Sequence, residues 1–128
     1  MAASNLVIDT TIFIEFLRAK DKTKTVLYSI SDKSPLAISA VTLYELLMGA
    51  STSEKKTDVQ LLTTDLLILP FDNEVAKLAA DIFHDLRTKN QLIEFRDIFI
   101  GATCLAFGLP LRTLNTKHFN RIKGLVLK

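Results

Sequence analysis

Asp9, Glu45, Asp97 and His118 are the side chains of this 128-residue sequence best suited to chemistry, although long stretches separate them. Asp9 follows the apolar run Leu6-Val7-Ile8 directly. Glu45 stands among the apolar residues Leu43, Leu46 and Leu47. Asp97 precedes the nearly unbroken apolar stretch from Ile98 to Phe107, and His118 closes the polar segment after Thr113. A carboxylate beside a buried run is costly unless something compensates it. Three carboxylates gathered in one cleft would repel one another, so one would take up a proton or all would share a cation. The ion expected is Mg²⁺ or Mn²⁺, hard cations that take carboxylate and water ligands. Such an ion can bind a phosphate oxygen, generate hydroxide from water and stabilise a leaving oxygen. Phosphodiester hydrolysis needs those three things and no covalent nucleophile. Each residue also has an ordinary role open to it: Asp97 as a helix N-cap, Thr42-Leu43-Tyr44-Glu45 as a capping box, Asp9 as a turn opener, His118 as a surface histidine.

The elements around these residues decide whether they meet. Leu6-Val7-Ile8 reads as a buried strand, and Leu36-Ala37-Ile38-Ser39, Leu67-Ile68-Leu69, Leu111-Arg112-Thr113 and Leu125-Val126-Leu127 read as further short apolar strands. Between them lie helical patterns. One runs from Ile12 to Leu17, and another passes through Val26, Leu27 and Ile30. A third begins near Ala40 to Thr42, with Tyr44, Leu47 and Met48 on one face. The charged stretch Glu54 to Asp58 reads as a solvated face or a helix start. Asp72 caps the clearest helix, in which Val75, Leu78, Ala79, Ile82, Phe83 and Leu86 form the apolar stripe. The helix from Ile98 to Phe107 is expected to be buried on most sides and to stop at Gly108 and Pro110. Strands alternating with helices imply a mainly parallel sheet covered on both faces, with the site at the carboxyl ends of the strands. That topology brings Asp9, Glu45, Asp97, Thr113, Asn115 and His118 to one edge.

Composition sets the remaining bounds. Hydrophobic residues make up 48% and charged residues 23%, which excludes a disordered chain, and the length predicts one domain over residues 1–128. No run is long enough to span a bilayer, and the polar start leading straight into a strand does not resemble a secretory leader. The single Cys104 falls in the buried helix, where a small core residue is expected rather than a reactive thiol, and this usage suits a reducing cytoplasm. Net charge is only +2, but no Asp or Glu follows Asp97, while Arg112, Lys117, Arg121, Lys123 and Lys128 do. That basic quarter is either a phosphate-contacting surface or a merely solvated one.

Four segments together resemble a known family. Val7-Ile8-Asp9-Thr10, Ser39 to Leu46, Asp97-Ile98-Phe99-Ile100-Gly101-Ala102 and Thr113 to Phe119 are similar, in order and spacing, to a PIN domain, and most of all to the VapC-like toxins of prokaryotic toxin–antitoxin pairs. The resemblance covers essentially the whole chain. It implies a three-layer α/β/α fold and a metal-dependent ribonuclease, usually a homodimer, inhibited by a cognate antitoxin protein. The family's acidic positions fall on Asp9, Glu45 and Asp97. Asp9 and Asp97 would be metal ligands, and Glu45 would act through water or as general base. Thr10, Thr113 and Asn115 would hold these groups in place, and Arg112, Lys117 and Arg121 would contact RNA. Two positions depart from the pattern. Thr11 stands where Asn or Ser is common, and His118 stands at the fourth acidic position, which puts a second metal in doubt. An inactive PIN-like binding module is the alternative reading. A dehalogenase-like or receiver-like phosphotransfer domain would need further acidic residues near Asp9 that are missing.

Overall fold

The computed structural model describes residues 5–30 and 35–128; residues 1–4, the polar lead-in of the sequence, lie outside the described residues. Strand β1 (Leu6–Ile8) runs into α1 (Thr10–Arg18). A 3-10 turn and the short α2 (Val26–Ile30) precede β2 (Leu36–Ser39), α3 (Ala40–Gly49) and α4 (Ser53–Thr63). Then follow β3 (Leu67–Leu69), α5 (Asn73–Thr88), α6 (Phe95–Phe107), β4 (Leu111–Arg112) and α7 (Thr116–Phe119). The four strands are all parallel, in the order β3-β2-β1-β4. Successive strand residues point to opposite layers. Val7, Ala37 and Leu111 join the core built on α5 and α6, while Ile8 and Ile38 join the one under α1 to α4. The expected three-layer α/β/α arrangement follows from that alternation.

Local sequence explains the helix ends that frame the site. Asp72 Oδ1 accepts the Val75 amide at 3.0 Å and starts α5, and Thr52 caps α4 in the same way through Lys55. Helix α6 is the buried central helix, with six residues from Ile98 to Cys104 withdrawn from solvent. It ends at Gly108, whose φ of +64° is left-handed, and the Leu109 amide reaches back to the Cys104 carbonyl at 2.9 Å. Gly101 lets α6 approach the segment after α7, because a Cβ there would sit 2.5 Å from Ile122 Cδ1.

The structure corrects two expectations and shows which face of α3 is covered. Leu125-Val126-Leu127 is no strand: it makes a single parallel bridge, Leu127 to Leu111, because β4 itself stops at Arg112 and offers nothing longer to pair with. The face of α3 carrying Tyr44, Leu47 and Met48 is exposed, and Thr42 and Leu46 are the buried residues. The caps also lie elsewhere. Helix α3 starts directly at the end of β2, so the hydroxyl that meets its free amides is Ser39, which accepts from the Thr42 amide at 3.0 Å. Glu94, not Asp97, occupies the N-cap of α6. Neither Glu45 nor Asp97 is therefore spent on capping. No helix among the described residues is long and apolar enough to cross a membrane.

Candidate active site

The carboxyl ends of β1, β2 and β4 converge on Asp9, which is 2% exposed. Asp9 holds the N-cap position of α1 but makes no capping bond. Instead, Thr11 Oγ1 and Thr113 Oγ1 each donate to Asp9 Oδ2 at 2.7 Å. Among the described residues nothing donates to Oδ1. The Leu114 amide bonds Thr11 Oγ1 and the Asn115 amide bonds Thr113 Oγ1, which ties the loop after β4 to the start of α1.

Glu45 enters from α3, half-buried. Thr10 Oγ1 lies 2.9 Å from its Oε1 and 3.0 Å from Thr42 Oγ1, which in turn lies 3.2 Å from Ser39 Oγ. Thr10 has one hydroxyl proton, and the carboxylate can only accept, so Thr42 and Ser39 donate along the row toward Glu45. Its second oxygen, Oε2, lies 3.2 Å from Arg96 Nη1, and Arg96 Nη2 bonds Glu94 Oε2 at 2.7 Å. Arg96 thus bridges α3 and the start of α6, and it holds the Glu94 carboxyl below its ordinary range.

Asp97 sits in the first turn of α6. Its carboxyl is raised from the ordinary 3.8 to about 6, chiefly by burial and next by Asp9; His118 opposes, and Glu94 and Glu45 add smaller pushes. Asn115 Nδ2 lies 3.5 Å from Asp97 Oδ2 and 2.9 Å from His118 Nδ1. With the amide nitrogen facing the ring, Nδ1 accepts and the imidazole proton belongs on Nε2. His118 Nδ1 is 3.8 Å from Asp97, too far for a hydrogen bond.

Every residue expected to hold or tune the site therefore reaches the same sheet edge: Asp9, Thr10, Glu45, Asp97, Thr113, Asn115 and His118. The basic residues do not gather there in the same way. Arg112 Nη1 bonds the Lys128 carbonyl, and Arg121 Nη1 bonds the Gln91 and Leu92 carbonyls, so both tie down backbone; Lys117 is exposed. Sequence reading missed Arg96, the cation that meets Glu45, and the donor role of Thr11. Cys104 is fully buried and its thiol is pushed up to about 12, which keeps it protonated and inert.

A family model described as PIN domain matches residues 6–125. The chain belongs to the PIN domain family. "Ribonuclease VapC" of Rickettsia bellii is 33% identical to it over 127 residues, covering 94% of this chain and 92% of that protein. "Ribonuclease VapC10" of Mycobacterium tuberculosis is 32% identical over 114 residues, covering 89% and 85%. Among solved structures, VapBC2 from Rickettsia felis bound to a DNA fragment from their promoter contains a chain that matches with a TM-score of 0.79 at 26% identity, covering 96% of each.

The donor chemistry of this PIN domain fits a hydrated hard cation. Among the described residues no group of three or more His, Cys, Asp or Glu side chains could hold a metal ion. Mg²⁺ and its relatives do not need one, since they keep several waters and take one or two carboxylates. Asp97, raised chiefly by burial and next by Asp9, with smaller pushes from Glu94 and Glu45, is a carboxylate whose charge the fold holds at a cost that a nearby cation would relieve.

Proposed function

We propose that this PIN domain is a metal-dependent endoribonuclease, the toxin of a toxin–antitoxin pair. The observation that carries the reading is the carboxylate trio Asp9, Glu45 and Asp97 at one sheet edge, with Asp97 pushed up to about 6. Asp9 and Asp97 would hold a divalent cation, Mg²⁺ or Mn²⁺, with Glu45 reaching it through water. Once bound, that ion would neutralise a phosphate oxygen and make water a stronger nucleophile. The chain's own work is positioning. Thr11 and Thr113 fix one oxygen of Asp9, and Thr10 fixes Glu45 to receive the proton of the attacking water. Asn115 holds Asp97 and His118 together. Cleavage of a panel of structured RNAs, with and without chelator, tests the reading. Metal-supported cleavage is expected, and RNA left intact in both conditions would refute it.

The partners follow from the same resemblance. A cognate antitoxin and a second copy of the chain are the proposed associates, supported by the VapBC complexes among the neighbours and by exposed Tyr44, Met48 and Phe95. An open cleft of about 710 Å³ adjoins the site, running from Glu45 and Arg96 past Thr10 and Met48 to Val59.

Two substitutions sort the neighbouring roles. Ser39→Ala removes the cap of α3 and should cost about 1 kcal/mol with cleavage kept, whereas Glu45→Ala, which takes the acceptor from Thr10 and the partner from Arg96, should cost about 1–3 kcal/mol and stop cleavage. Thermal melts beside cleavage assays separate them; a Glu45→Ala protein that still cleaves would return the residue to a structural role. His118→Asp should improve Mg²⁺-supported cleavage relative to Mn²⁺, because a carboxylate is the harder ligand. An unchanged Mn²⁺/Mg²⁺ ratio would remove His118 from the metal site.

A further inference from the structure

Both oxygens of Glu45 already have a partner. Thr10 Oγ1 lies on Oε1 at 2.9 Å, and Arg96 Nη1 on Oε2 at 3.2 Å. A cation that comes to Glu45 must share an oxygen with one of these two donors, and a like-charged neighbour is the harder one to share with. Thr10 cannot yield, since it is 7% exposed, starts α1 and is closed in by Thr42. Arg96 can: its side chain is 52% exposed on a flexible stem in the first turn of α6. Its other nitrogen already rests on Glu94, further out toward solvent. Among the described residues it is also the only Lys or Arg paired with a carboxylate of the cleft. A dication entering beside Asp9 and Asp97 would repel the guanidinium and compete for Glu45. The freed fork of donors matches a phosphate, and it borders the open cleft that begins at Glu45.

We propose that Arg96 is a positioning residue that changes partners. It holds Glu45 in the metal-free cleft and, when a divalent cation enters, releases it and takes a backbone phosphate of the RNA strand. The second half rests on the ribonuclease reading above; the first does not. Arg96→Gln tests both. Calorimetric titration with Mn²⁺ alone, without RNA, should give an affinity about fivefold higher in the variant, the upper end for a half-exposed ion pair. Steady-state cleavage should show a raised KM, and the slope of log kcat/KM against log salt should become shallower by about 0.7, the share of one phosphate contact on a single strand. An unchanged or weakened Mn²⁺ affinity would overturn the hold on Glu45, and an unchanged salt slope would overturn the phosphate partner. If neither parent nor variant cleaves RNA, the phosphate half fails together with the ribonuclease reading, while the Mn²⁺ titration still decides the first half.

Discussion

Asp97→Asn is expected to abolish RNA cleavage and, in the same step, to stabilise the metal-free protein above pH 7. The folded-state value of Asp97 is raised from 3.8 to about 6 by burial and by Asp9, with smaller pushes from Glu94 and Glu45. A raised carboxyl favours the protonated form in the fold. Its full contribution is present below about pH 4, is lost as pH rises through about 6, and leaves the ionised group as a net cost beyond that. The shift corresponds to at most about 3 kcal/mol, and partial contact with solvent brings the expected gain on substitution nearer 2 kcal/mol. Asn removes the charge and keeps the shape. Thermal melts at pH 3.5 and 7.5 in chelator check this: parent and variant should melt nearly alike at the low pH and separate at the high one. Adding Mg²⁺ or Mn²⁺ should then stabilise the parent and not the variant. A variant that melts below the parent at pH 7.5 in chelator would mean that Asp97 is stabilising as a carboxylate, and the crowded-charge account would fail.

Asp9→Asn should be as inactive for a different reason. An Asn oxygen can still accept from Thr11 and Thr113, whose hydroxyls lie 2.7 Å from Asp9 Oδ2, so the local fold should persist. A neutral amide offers a dication little, and loss of several kcal/mol of metal-derived stabilisation means cleavage reduced by at least about a thousandfold. The same change should also be felt at Asp97. Asp9 is the largest electrostatic cause of the raised Asp97 value, after burial, so removing its charge should bring Asp97 back toward the ordinary carboxyl range. Carbon-detected NMR titration of Asp97 in the metal-free variant reads this directly. An unmoved Asp97 titration would show that the two groups do not sense each other, and that they do not share an ion.

The residues that bind by type were visible in the sequence, and those that bind by approach were not. Asp9 could be placed because burying a carboxylate at the end of a core strand is costly unless the site uses its charge, and Gly108 because a left-handed stop after an apolar helix has a composition of its own. The stripe Tyr44, Leu47 and Met48 was equally regular, yet it faces solvent. Periodicity reveals that a helix has an apolar face, and says nothing of what covers it. Arg96 shows the complementary gap. It adjoins Asp97 in the chain, but its partner Glu45 is on α3, and only the packing of α3 against α6 brings them together. Arg112 and Arg121 looked free for phosphates because a sequence does not record which backbone carbonyls will be left bare beside them.

The bond between Thr113 and Asp9 joins residues separated by 104 positions, and β4, the strand that delivers Thr113, lies beside β1 at the edge of the sheet. Contacts of such sequence separation form late, after the entropy of closing a long loop has been overcome. A ribosome adds about 5–20 residues each second, so the first acidic residue waits several seconds in the growing chain for the hydroxyl that will anchor it. The nascent polypeptide carries Asp9 and Glu45 early, but without β4 it holds no assembled cleft. The cleft cannot form until Thr113 has left the ribosome.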